Sequence, residues 1–200
     1  CDALSPEADR IGAVNTLAFD RDVGVRGHNT DGQGFLDALA ELGALEIESA
    51  TILGSGGASL AIVDALLDRL PGLELRWVSR RPGALPFTDP RIRPTPWDEL
   101  EPPTGQLLVN ATIVGLHGGP AEFPRPLILD ALDPGARVVD IVYPRPAGGL
   151  LDQAAARGLK VQDGLPMLLH QGVRALEIWL QTSLGPEVVE AMRSALQSPN

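Results

Sequence analysis

Two spacings of apolar residues alternate along the chain. Short runs rich in Val, Ile and Leu occur at Ala50–Leu53, Leu73–Val78, Leu107–Asn110, Arg137–Val142 and Leu159–Gln162. Between them, Phe35–Leu42, Leu60–Leu70 and Leu150–Arg157 carry apolar residues at helical spacing, and Gly43 and Gly158 stop the first and last of these. An unbroken apolar run between turn residues reads as a strand covered on both faces, and the i, i+3, i+4 spacing reads as a helix with one buried stripe. Strands alternating with helices predict an α/β fold: a Rossmann-like, doubly wound parallel sheet with right-handed crossovers.

The ends of the chain depart from that rhythm. Ile11–Phe19 is β-rich, Asp20-Arg21-Asp22 is a turn, and Val23–Gly27 reads as the returning strand of a hairpin. The proline-rich stretch 82–103 predicts at most one short strand and a turn. From Met167 the pattern is helical to Ser183, breaks at Gly185-Pro186 and resumes from Glu187 to Gln197.

Composition narrows the class. The 200 residues carry 16 Lys plus Arg against 26 Asp plus Glu, a formal charge of −10. Such a field repels nucleic-acid phosphates and anionic membrane, so neither is an expected partner. One cysteine excludes an internal disulfide or a cysteine-cluster metal site, and His28, His117 and His170 show no metal-ligand spacing. No metal is expected. No apolar run approaches the roughly 20 residues of a membrane span, and the expected location is cytoplasmic. Cys1 also matches the first residue of a mature lipoprotein, but the residues after it read as the interior of a cytosolic domain.

The first candidate chemistry lies directly after Ala50–Leu53, where the chain reads Gly54-Ser55-Gly56-Gly57-Ala58-Ser59 before a helical stretch. Strand, glycine turn and helix is the arrangement that holds a pyrophosphate, because backbone N–H groups and the helix N-terminus reach the phosphates. A tight strand-to-helix turn is the plainer reading, and Ser59 stands where a third glycine would. The next strand ends in Ser79-Arg80-Arg81 with no carboxylate to bind a ribose 2′-hydroxyl. A hydroxyl and two guanidinium forks suit a 2′-phosphate, so NADP is the expected cofactor, although a solvated arginine pair is the duller alternative.

Gly12-Ala-Val-Asn-Thr16, Gly27-His-Asn-Thr-Asp-Gly32, the glycine turn, Asn110-Ala-Thr-Ile-Val-Gly115, Asp140-Ile-Val-Tyr-Pro144 and Asp163-Gly-Leu-Pro-Met-Leu-Leu-His-Gln171 follow one another along the chain. Together they resemble the shikimate dehydrogenase family over nearly the whole sequence. The resemblance implies NADP-dependent, reversible reduction of 3-dehydroshikimate to shikimate. It makes Asn15, Asp31, Tyr143 and Gln171 candidate substrate contacts and Asp31 the candidate catalytic acid. Gly54, Ser55, Gly56, Gly57, Ala58, Ser79, Arg80, Arg81, Asn110, Thr112, Gly164 and Met167 become candidate cofactor contacts. Apart from the resemblance, Asp31 or Thr30 is a suitable helix N-cap and Asn15 a strand-end residue.

The resemblance also implies differences. The family's catalytic lysine and its carboxylate-binding serine and threonine belong upstream of Gly12-Ala-Val-Asn-Thr16, and the only lysine here, Lys160, matches no catalytic position. Leu60, Ala147-Gly148-Gly149 and Pro166 replace residues common in the family. The expected organisation is a substrate-domain remnant over 1–29, an NADP-binding domain over 30–162, and a helical tail over 163–200 that returns to the substrate domain. Such a tail is expected to expose apolar surface or to pair with another copy as a homodimer. Reduced activity follows from the same reading. The alternatives are an inactive NADP-binding module, a quinate or aminoshikimate dehydrogenase, and a methylenetetrahydrofolate dehydrogenase. The last leaves Gly12–Thr16 beside Asn29–Asp31 unexplained.

Overall fold

The computed structural model describes residues 1–197 except 23, 85, 87 and 146. Val23, expected to open the returning strand, lies outside the described residues. The chain begins with β1 (Ala3–Leu4), α1 (Pro6–Ile11), β2 (Thr16–Asp20) and β3 (Gly24–His28). β2 and β3 form the expected antiparallel hairpin, and β1 adds to the free side of β3 in parallel.

Of the β-rich stretch expected at Ile11–Phe19, Ile11 ends the helix α1 and 12–15 form an irregular connection, so that β2 starts only at Thr16. Ser5 Oγ accepts from the Ala8 N–H at 3.3 Å and Pro6 opens the first turn. Gly12, at φ 65°, closes the helix with its N–H turned back to Ala8 and Asp9. Both ends are thus fixed by local chemistry. Six residues are too few for a periodic signal, so the strand begins only at Thr16.

Six strands form the main sheet: β4 (Ser49–Leu53), β5 (Glu74–Ser79), β6 (Ile92–Pro96), β7 (Gly105–Asn110), β8 (Leu132–Asp140) and β9 (Lys160–Gln162). Their order is β6-β5-β4-β7-β8-β9 and every pairing is parallel. From β4 the chain steps outward through β5 and β6, returns to the centre at β7, and steps outward the other way. This is the Rossmann-like, doubly wound sheet expected, with the reversal of direction between β4 and β7.

The unbroken apolar runs are explained by burial on both faces. Ile52, Trp77, Leu107 and Val139 pack toward α2 (Asp31–Glu41), α3 (Gly57–Arg69) and α5 (Leu165–Leu180). Their neighbours Leu53, Val78, Leu108 and Val138 pack on the other face with α4 (Leu150–Ala155). The chain closes with α6 (Pro186–Gln197), which buries no residue completely.

Both helices beside the glycine turn start earlier than their apolar spacing indicates. α2 begins at Asp31 rather than Phe35, taking in Gly32 and Gly34, which are poor helix formers. Packing requires them. A Cβ on Gly32 would stand 2.7 Å from the Ala61 carbonyl oxygen of α3, and one on Gly34 would stand 2.6 Å from the Gln171 nitrogen of α5. Close approach at Gly34 brings Asp31 and Gln171 toward the same crevice.

Candidate active site

Leu53 and Asn110 end β4 and β7 side by side, and a crevice opens above them where open α/β sheets hold ligands. The turn after β4 enters α3 through Gly56, an extended N-cap with no side chain capping the first turn and no acidic residue within it. The free N–H groups and the positive end of the helix dipole are therefore available to an anion. Gly54, at φ 110°, lies so close to the next loop that a Cβ would stand 2.5 Å from the Ala111 carbonyl oxygen. A Cβ on Gly56 would meet nothing within 4 Å, so the outer side of the turn is open. Below it, Trp77 Nε1 and Ser59 Oγ both donate to the Gly54 carbonyl, each at 2.7 Å. Ser59, in the place of a third glycine, anchors the turn from beneath.

A cavity of about 440 Å³ runs from this turn to α5. Asp31, Gly56, Gly57, Ala58, Thr112, Tyr143, Gly164, Met167 and Gln171 line it. Gly164 is pressed against the backbone of Ile141, where a Cβ would stand 2.2 Å from the carbonyl oxygen. The remaining wall is apolar and was not picked out by sequence: Ala111, Ile113, Leu116, Ile141, Val142 and Leu168. Ile113 and Leu116 are exposed. Large apolar residues in a glycine-bearing loop are the one signal that marked them.

Asn15 stands behind Asp31. Its Nδ2 donates to Asp31 Oδ1 at 2.7 Å and to Thr30 Oγ1 at 3.0 Å, and its Oδ1 accepts from the Thr30 N–H at 2.9 Å. Buried Thr30 is the hub of this group, since its Oγ1 also lies 3.5 Å from Gln171 Oε1. Thr30 is the N-cap residue of α2 but makes no side-chain cap bond, because its hydroxyl is turned to Asn15. Burial pushes the Asp31 carboxyl above its ordinary range, and the Asn15 hydrogen bond draws it partly back. A raised, half-buried carboxyl is suited to hold a proton for transfer.

Asn110 lies beneath the cavity, completely enclosed. Its Nδ2 donates to Asp140 Oδ1 at 2.8 Å, and its Oδ1 accepts from Thr112 Oγ1 at 2.6 Å. Burial likewise raises the Asp140 carboxyl, against hydrogen bonds from the Val142 N–H and Asn110 and the charge of Arg145. At the end of β5, Arg80 and Arg81 are exposed, whereas the Ser79 side chain is buried and its Oγ makes no hydrogen bond. Ser55 stands exposed at the turn's tip. Lys160 is exposed on β9, an edge strand of the main sheet.

A larger cleft, about 630 Å³, opens among α1, α2, α3 and α5. Its guanidiniums are already engaged, Arg10 by Asp64 and Arg174 by Asp37 and Glu177. Among the described residues no cluster of His, Cys, Asp or Glu is arranged to hold a metal ion. No described helix is long and apolar enough to cross a membrane.

Comparison with known proteins settles the family. The NADP(+) shikimate dehydrogenase of Magnetococcus marinus is 38% identical over 199 residues, covering 94% of this chain and 68% of that protein. The chain belongs to the shikimate dehydrogenase family. No protein-family model matches it. The shikimate 5-dehydrogenase of Thermus thermophilus, solved with NADP(H) and shikimate, superposes with a TM-score of 0.73 at 35% identity, over 98% of this chain and 72% of that one. The ligand-free 5-ketofructose reductase of a Gluconobacter species superposes with a TM-score of 0.78 at 32% identity, over 98% and 73%. The family fold thus serves a reductase named for another substrate.

Proposed function

We propose that this chain binds NADP(H) along the crevice between β4 and β7 and acts on 3-dehydroshikimate and shikimate. The observation that carries the reading is that Asp31 and Gln171 face the same cavity as the open glycine turn Gly56-Gly57-Ala58. The uncapped first turn of α3 fits a pyrophosphate, and Arg80 and Arg81 fit a 2′-phosphate at the end of β5. The apolar wall of Ile113, Ile141, Val142 and Met167 fits a flat ring and keeps water from it. When bound, the dinucleotide supplies the hydride chemistry.

The chain's own residues orient the substrate and manage its proton. Asn15, Gln171 and Tyr143 offer amide and phenol partners to a polyhydroxylated ring, whose hydroxyls need paired groups when enclosed. Asp31 holds the proton delivered to the oxygen formed on the reduced carbon, with its carboxyl aimed by Asn15 Nδ2. In this reading 30–162 is the dinucleotide domain, and 1–29 with 163–200 belong to the substrate side. A second reading is a dinucleotide-binding module without catalysis, since Lys160 lies on an edge strand of the sheet and does not line the cavity.

The test is NADPH formation from NADP and shikimate, with quinate and NAD as controls, in wild type and Asp31→Asn. Formation with shikimate, lost in Asp31→Asn, is expected. Saturable NADPH binding without turnover selects the binding module. Absence of both overturns the dinucleotide reading.

A further inference from the structure

Asp140 is a buried carboxylate that the chemistry above does not use, and it sits at the junction of two loops that line the cavity. β7 and β8 end in register at Asn110 and Asp140. The loop after β7 supplies Thr112 and Ile113 to the lining of the cavity, and the loop after β8 supplies Ile141, Val142 and Tyr143. A single oxygen, Asp140 Oδ1, accepts from both sides: from Asn110 Nδ2 at 2.8 Å and from the Val142 N–H at 3.1 Å.

A carboxylate facing Asn110 accepts and does not donate, so the Asn110 amide must turn its nitrogen toward Asp140. Its oxygen is then left facing the opposite loop. There it accepts from the Thr112 N–H at 3.1 Å and from Thr112 Oγ1 at 2.6 Å. Thr112 Oγ1 in turn accepts from the Val114 N–H at 3.0 Å, and the Val114 carbonyl accepts from Asn110 Nδ2 at 3.3 Å. The orientation of the Asn110 amide is therefore set from both ends, by Asp140 on one side and by the Thr112 N–H and the Val114 carbonyl on the other. Reversing the amide would place two acceptors together at Asp140 and its nitrogen against the Thr112 N–H.

We propose that Asp140 is a positioning residue for the dinucleotide pocket: its Oδ1 holds the orientation of the Asn110 amide and, through it, the Thr112–Ile113 part of the lining. The inference rests on the reading that this pocket takes a nicotinamide dinucleotide. What positions the wall is the acceptor at Oδ1 rather than the negative charge. An asparagine at 140 still has an oxygen to offer Asn110 and the Val142 N–H, whereas alanine has none.

The test compares Asp140→Ala and Asp140→Asn with wild type by site-resolved amide hydrogen exchange without ligand and by NADPH fluorescence titration. The informative amides are Thr112 and Val114, which Asp140 does not touch. In Asp140→Ala they exchange at least tenfold faster while the Ile52 and Leu53 amides of β4 are unchanged, and NADPH binds at least tenfold more weakly. Asp140→Asn stays within threefold of wild type in both. Unchanged exchange at Thr112 and Val114 in Asp140→Ala overturns the proposal, as does an equal rise throughout β4. Asp140→Asn behaving like Asp140→Ala overturns the role of the acceptor. If Asp140→Ala does not fold, Asp140→Ser, whose shorter side chain withdraws the acceptor from Asn110 Nδ2, takes its place: faster exchange at Thr112 and Val114 with weaker NADPH binding supports the proposal, and wild-type behaviour overturns it. Failure of the wild-type chain to bind NADPH removes the dinucleotide reading, and the exchange data then decide the positioning role alone.

Discussion

In the six-stranded sheet, Ile52, Trp77, Leu107 and Val138 are completely enclosed, whereas in the three-stranded sheet Leu17 is 44% and Phe19 83% exposed. The main sheet is covered by helices and loops on both faces. The small one leaves apolar side chains of β2 in the open, beside exposed Trp179 and Leu180 of α5. Trp179 Nε1 donates to the Leu17 carbonyl at 2.8 Å, so one strand edge is partly closed by a side chain. The proposed dinucleotide crevice thus stands on a self-sufficient scaffold. The proposed substrate groups, Asn15 and Asp31, join that scaffold to a region whose own packing is open.

Five substitutions break or sharpen that comparison. Ile52→Ala removes a completely enclosed side chain of β4 and is expected to destabilise by about 4 kcal/mol, read by urea denaturation. A change under about 1 kcal/mol would contradict the enclosed core. Gly54→Ala places a Cβ 2.5 Å from the Ala111 carbonyl oxygen at φ 110°, for an expected loss of about 3 kcal/mol. Gly12→Ala, at φ 65° with nothing within 4 Å, should lose only about 1 kcal/mol. Equal losses would show that backbone conformation alone, and not the approach to Ala111, makes the first position a glycine.

The third prediction concerns pH. The Asp31 carboxyl is raised by burial, so the folded state favours its protonated form. Its contribution to stability is fully present below the ordinary carboxylate value and is lost as pH rises through the raised folded value. Asp31→Asn should therefore raise the melting temperature at neutral pH, with the gain shrinking as pH falls through the carboxylate range. A gain independent of pH would sink that account. The smallest effect is expected at Phe19→Ser, within about 0.5 kcal/mol because the ring is already in solvent. A large loss there would mean that β2 is covered in solution.

Much of this molecule is legible in the sequence, and the losses have physical causes. The order of strands and helices in the main sheet follows from apolar runs and helical spacing, because each is long enough to show its period. α1 escapes notice because its ends are set by Ser5, Pro6 and Gly12 rather than by a stripe. The starts of α2 and α3 are hidden by glycines, and those of α2 are explained only by the neighbouring backbones of α3 and α5. At the site, the glycines, Asp31 and the Arg80-Arg81 pair stand out by type and position, but the roles of Thr30 and Asp140 do not. Their importance lies in which atoms they face, and that depends on contacts such as Thr30 with Gln171, 141 positions apart.

The most direct test of the account is NADPH fluorescence titration of the folded wild-type chain beside Gly54→Ala and Asp31→Asn. The account predicts saturable binding in wild type, retained in Asp31→Asn and at least tenfold weaker in Gly54→Ala. Binding that ignores the change at Gly54, or no binding by a chain that melts cooperatively, would contradict a dinucleotide site between β4 and β7.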